Sequence, residues 1–205
     1  MTTNFRRILT LTIAAPIAML AACGDPEEEA EEDHDDEQEV ITTLTLTFTP
    51  QGGGDSVTAT FKDADGDGGE DPTITNPTLA ANTTYDVTVT LLNETVDMDD
   101  EEYNIGNEIK EEAEEHQVFY TGAGIDDGLF TWETTDKESD YADNSGDDLP
   151  VGLAGTLATT DAGAGVLTVT LMHQPPVNGN DVKTSTSTIN DGEVDVAVDF
   201  DVTVE

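Results

Sequence analysis

Five stretches of the chain alternate between apolar and polar residues with a period of two, and this alternation is the feature that most constrains the fold. Leu44, Leu46 and Phe48 alternate with Thr43, Thr45 and Thr47, and Val57, Ala59 and Phe61 with Thr58 and Thr60. Tyr85, Val87, Val89 and Leu91 alternate with Asp86, Thr88 and Thr90. Leu167, Val169 and Leu171 alternate with Thr168 and Thr170, and the even-numbered residues from Val194 to Val204 with Asp195, Ala197, Asp199, Asp201 and Thr203. Successive side chains of a strand point to opposite faces, so each stretch reads as a half-buried antiparallel strand with Thr and Asp on the wet face. Weaker strand signals lie at 117–121, 129–135 and 151–159, and Gly/Asp/Asn clusters punctuate the chain between them. The spacing predicts an all-β domain: an immunoglobulin-like antiparallel β-sandwich of about 7–9 strands, without the Cys–Trp–Cys signature of antibody domains.

One segment departs from this period. Asp99 to Glu115 is acidic and carries Ile105, Ile109 and Ala113 at i, i+4 and i+8. That single apolar stripe predicts a helix of two or three turns, or else a disordered acidic loop, inserted between strands. Gly106 weakens the helix, and acids near its C-terminus oppose its dipole.

The N-terminus reads as an export signal, residues 1–22. Arg6 and Arg7 precede a short apolar stretch, Ile8 to Leu20, which ends in Leu20-Ala21-Ala22-Cys23. This resembles a bacterial lipobox, which implies that Cys23 becomes a lipidated N-terminus. Ordinary signal cleavage beside a bystander Cys is the alternative. Several acyl chains give stable membrane anchoring where one is marginal. Residues 23–39 then form a lipidated Cys and an acidic tether with 11 acids, and residues 40–205 the sandwich domain.

The charge excludes whole classes of partner. The chain carries 46 Asp and Glu against 6 Lys and Arg, a formal net charge of −40. Nucleic acid, which requires phosphate-neutralising Lys and Arg, is therefore not an expected partner. Residues 40–205 alone hold 35 acids and four Lys (Lys62, Lys110, Lys137, Lys183). Such a domain repels itself at low ionic strength and is screened at high salt, a composition that looks halophilic; a marine or mesophilic secreted protein is the alternative.

Chemistry-bearing motifs are few. The one Cys is assigned to lipid, and G-x-S-x-G, P-loop and G-x-G-x-x-G patterns are missing, so no enzyme is expected. Asp63, Asp65 and Asp67, followed by Gly68 and then Asp71, match the front half of a calcium loop, though Ile74 stands where the bidentate Glu belongs. An Asp/Gly hairpin turn is the alternative. The other candidate is a histidine pair. His116 opens the strand HQVFY and His173 closes VLTVTLMH. In antiparallel neighbours the start of one strand lies beside the end of the other, which brings both imidazoles together with Glu114 or Glu115 as N/O ligands for Zn²⁺ or Cu²⁺. Two unrelated strand-end histidines, with His173 capping the core face, is the other reading.

The segments VITTLTLTFTPQGGGDSVTATFKDADGDGG, LAANTTYDVTVTLLNE, EEHQVFYTG, GAGVLTVTLMHQP and GEVDVAVDFDVTV follow one another in an order that resembles small Bacteroidota lipoproteins labelled "type 1 periplasmic binding fold superfamily". That label names an α/β fold with long amphipathic helices, and no such helix pattern occurs here. The resemblance implies an outer-membrane lipoprotein facing periplasm or cell surface. The expectation is a binding module for a metal ion or small nutrient, beside an outer-membrane transporter; a structural or adhesive surface domain stabilised by calcium is the alternative.

Overall fold

The period-two stretches become the long strands of a two-layered β structure. In a computed structural model they form β1 (Thr43–Pro50), β2 (Val57–Lys62), β5 (Thr84–Leu92), β9 (Gly163–His173) and β10 (Glu193–Val204). The weaker signals become β6 (His116–Thr121), β7 (Phe130–Thr134) and β8 (Ala154–Thr159), and two further short strands appear, β3 (Thr73–Thr75) and β4 (Thr78–Leu79). The structure describes residues 39–64, 69–141 and 148–205. The expected signal segment, Cys23, most of the acidic tether, Asp65 and Asp67 lie outside these residues.

One sheet has six strands in the order β3-β2-β1-β5-β8-β7, all antiparallel; the other has four, β4-β10-β9-β6. The arrangement is a sandwich, with two differences from the sequence reading. There are ten strands among the described residues, because β3 and β4, three and two residues long, are too short to display a period. The second sheet is mixed, because β4 runs parallel to β10. That pairing is fixed on both sides: Thr203 N–H donates to the Pro77 carbonyl, Glu205 N–H to the Leu79 carbonyl, and Asp201 N–H to Asn76 Oδ1.

Parity holds where it matters for the core. Leu44, Leu46 and Phe48, Tyr85, Val87 and Leu91, Leu167, Val169 and Leu171, and Val198, Phe200, Val202 and Val204 are all buried between the sheets. Burying a side chain of this size contributes about 1.5–3 kcal/mol. The acidic insertion is a 3₁₀ turn, Glu101–Tyr103, followed by the short helix α1 (Ile105–Glu111). Its stripe of Ile105, Ile109 and Ala113 is buried as the i, i+4, i+8 spacing requires.

Parity breaks at one place. Val194 pairs with Met172 and Val196 with Leu171, so Asp195 is an extra residue at a β-bulge. The bulge turns the chain over. Val194 is 42% exposed, while both carboxylate oxygens of Asp195 are sealed from water. The alternation alone puts Asp195 on the wet face; a bulge re-aims a side chain without leaving a mark on the residue pattern.

Candidate metal centre

The His173 end of β9 is where the polar side chains converge. Leu171, Met172 and His173 are all buried, so both faces of the strand are covered here. In the antiparallel register His116 is the direct partner of His173. Their rings stack with centroids 4.6 Å apart and planes 5° apart. Glu112 is the residue after the last turn of α1, and its backbone carbonyl accepts from Glu115 N–H. This tight exit from helix to strand sets Glu112 four residues before His116, with Glu112 Oε2 3.9 Å from His116 Nδ1.

The loop from Gln174 to Gly192 closes the same end. Gln174 N–H donates to the Glu115 carbonyl at 2.6 Å, and Lys183 Nζ donates to the Ala113 carbonyl at 2.6 Å and pairs with Glu138 at 2.8 Å. Lys183 and Glu138 are both buried, so theirs is a low-dielectric ion pair, while the bond to Ala113 holds the loop to the exit of α1. Gly192 brings the chain into β10 at φ +121°, a conformation that favours glycine, and a Cβ there would stand 2.3 Å from the His173 carbonyl oxygen.

His116 is fully buried. Its Nδ1 lies 3.2 Å from the Glu112 carbonyl oxygen, which only accepts, so Nδ1 carries the hydrogen and Nε2 the lone pair. Nε2 is buried with no hydrogen-bond partner. Burial first, and then the neighbouring His173, push the imidazole down to about 4. It is therefore neutral at physiological pH, the form that ligates metals. Glu112, His116 and His173 each offer one ligand atom, all within 4.8 Å of one another. Two imidazole nitrogens and a carboxylate suit Zn²⁺ or Cu²⁺.

A second group adjoins the first through Glu112. Oxygens of Glu39, Glu108 and Glu112 lie within 4.8 Å of one another. Burial, then the charges of Glu108 and Asp195, a hydrogen bond that protonated Glu39 donates to Glu108, and the charge of Glu112 push Glu39 up to about 8. Burial pushes Asp195 up to about 7; the Glu39 backbone N–H tempers this, and the charge of Glu193 adds to it.

The sequence-predicted residues therefore divide. His116 and His173 meet. Glu115 reaches His173, Oε2 to Nε2 3.9 Å, while Glu114 is exposed. The carboxylate grouped with both histidines is Glu112, two and three residues before the two acids singled out; its spacing of four from His116 is the signal that points to it. Glu108 shares the i, i+4 relation with Glu112. Asp195 is hidden by the bulge and Glu39 by the acidic run it ends. Of the calcium-loop candidates, Asp63 has one oxygen buried without a partner, and Asp71 is exposed. No protein-family model matches the chain, and a search of curated proteins finds no similar sequence.

Proposed function

We propose that this domain is a non-enzymatic metal-binding module that captures a transition-metal ion between Glu112, His116 and His173. The observation that carries the reading is His116: a fully buried imidazole with an unpartnered ring nitrogen, stacked on a second histidine beside a carboxylate. Leaving a buried polar atom unpaired costs about 1–3 kcal/mol, a cost that coordination removes. Calorimetric titration of the purified protein with Zn²⁺ and Cu²⁺ tests it. Binding near one equivalent, abolished in His116→Ala and in His173→Ala, is expected; heat that is unchanged in both variants would overturn it.

The setting of the module is part of the same proposal. The lipobox-like Cys23 and the resemblance to Bacteroidota lipoproteins support an outer-membrane anchor, with capture serving a neighbouring transporter. Cys23→Ser is expected to release the protein from membrane fractions. The two-sheet architecture, built without a disulfide, supports an immunoglobulin-like type of sandwich. A second reading, a surface domain stabilised by calcium, has one observation in its favour: the sealed, unpartnered oxygen of Asp63 at the start of the Asp-rich loop. Chelation that lowers the melting temperature, with Asp63→Ala removing that sensitivity, is its test.

A further inference from the structure

Lys183 is a buried amine that the metal centre does not use. Its side chain is 1% exposed and that of Glu138 3%, and Nζ lies 2.8 Å from Glu138 Oε1. The cost of taking two charges out of water can exceed what their attraction returns. Burial holds the Lys183 ammonium below its ordinary range, against the opposing pull of Glu138, Asp136 and Glu114. A lysine desolvated in this way is of the kind that serves as a nucleophile.

The groups around the pair are those an acyl transfer needs. Nζ also donates to the Ala113 carbonyl at 2.6 Å, which fixes where the amine points. Held against Oε1, it stands close to the Glu138 carboxyl carbon as well, in the region of the roughly 3–3.5 Å separation from which reacting atoms approach. Glu138 Oε2 accepts from Leu149 N–H at 3.1 Å, so a backbone donor already sits at the oxygen where negative charge develops during attack. Asp136 precedes Glu138 by two residues, across an extended Lys137 that bridges Pro150, so both carboxylates face the same side. Asp136 is also buried, and its charge acts on Lys183.

We infer that Lys183 and Glu138 condense into an internal amide cross-link, with Asp136 relaying the proton. Within the pair, a proton passes from the ammonium to Oε1, which leaves an amine facing a carboxylic acid. The Nζ lone pair forms a bond to Cδ, and Oε2 carries the negative charge beside Leu149 N–H. Asp136 takes a proton from the attached nitrogen and delivers it to Oε1; the Cδ–Oε1 bond breaks and water leaves. Nothing is oxidised or reduced and no co-reactant is consumed: an ammonium and a carboxylate become an amide and water. The one hydrogen left on Nζ keeps the bond to the Ala113 carbonyl. The link ties residue 138 to residue 183 in a chain whose single Cys permits no internal disulfide, and it constrains the unfolded chain as a disulfide does.

Trypsin reads the link directly, and the metal ligands take no part in the result. Beyond Lys137 the sequence offers it one cleavage site, after Lys183. Digested under denaturing conditions, the full chain should yield residues 138–205 as one peptide, lighter than its sequence by one water. Two separate peptides, 138–183 and 184–205, each at the mass of its sequence, would overturn the link. Lys183→Arg keeps the positive charge and the cleavage site but not the nucleophile. It should give both peptides at full mass, with an unchanged circular dichroism spectrum to show that it folds. Water loss that persists in this variant would overturn the link and place the dehydration elsewhere, as in a succinimide at an Asp–Gly pair. Asp136→Asn retains both reacting groups and should lower the linked fraction about tenfold or more. An undiminished fraction would overturn its role as the relay.

Discussion

Asp136 and Asp195 are both acids turned away from water, and the protein treats them in opposite ways. Asp136 accepts from Gly152 N–H at 2.9 Å, Leu153 N–H at 2.8 Å and Tyr141 Oη–H at 2.8 Å. Next to it Glu138 accepts from Leu149 N–H and pairs with Lys183. Each of these acids is bound into the approach to β8 by donors that the fold itself supplies. Asp195 is approached by the Glu39 backbone N–H alone, and Nε2 of His116 has no hydrogen-bond partner. The difference separates polar groups that the fold pairs from polar groups that it leaves almost without donors.

The largest test of this contrast is substitution at both acids. Asp136→Ala strands two backbone N–H groups and a hydroxyl and should cost on the order of 3–5 kcal/mol, read as a lower urea midpoint at unchanged slope. Asp195→Asn should have the opposite sign and stabilise the metal-free protein by about 1 kcal/mol, because it removes a buried charge that nothing neutralises. Equal losses from both would erase the distinction.

Acid should strike the incomplete end first. The folded pKa of His116, about 4, lies below its ordinary value of 6.5. As pH falls through 6.5 the unfolded chain takes up the proton and the folded one does not, so the contribution of His116 declines until about pH 4 and then levels. The loss is on the order of 3 kcal/mol. Unfolding free energies measured from pH 7.5 to 4 in the parent and in His116→Gln should diverge by this amount, the opposite contributions of Glu39 and Asp195 being common to both.

Salt should act on the surface and spare the buried acids. The melting temperature should climb by several degrees between millimolar and molar NaCl, with KCl equivalent, because screening does not depend on ion identity. The stability gain from Asp195→Asn should be about the same at both salt concentrations, since a buried charge is screened less. A gain that vanishes at high salt would place Asp195 among ordinary surface carboxylates.

An effect of opposite sign runs through neutral pH to the alkaline side. Glu39 and Asp195 have folded pKa values raised to about 8 and about 7. Their contribution to stability is fully present below the ordinary carboxylate range and is lost as pH rises through those values. Melting temperatures of the metal-free protein should sag between pH 6 and 9, less so in Glu39→Gln.

Much of the fold was legible because period-two burial is written directly into β1, β5, β9 and most of β10. The short strands β3 and β4 carry too few residues to write anything. The histidine pair was legible from strand ends, since HQVFY begins where VLTVTLMH finishes and antiparallel pairing does the rest. Its carboxylate was legible only in part: attention to the residues flanking His116 passes over Glu112, which the turn after α1 folds back. Asp195 was not legible, because Val194-Asp-Val-Ala-Val reads as an uninterrupted strand. Glu39 was not either: it ends a run of solvated acids, and only the tertiary fold shows that the last of them is half-buried.

The bulge also bears on how such a pocket arises and is lost over generations. Because Asp195 is the extra residue opposite β9, deleting it would close the bulge, leave Val194 and Val196 paired with Met172 and Leu171, and remove the inner acid. The inner acid is thus switched by a one-residue insertion or deletion rather than by a substitution. Among descendants of this chain, the trace of that event would be a gap in the last strand, with every flanking valine unchanged.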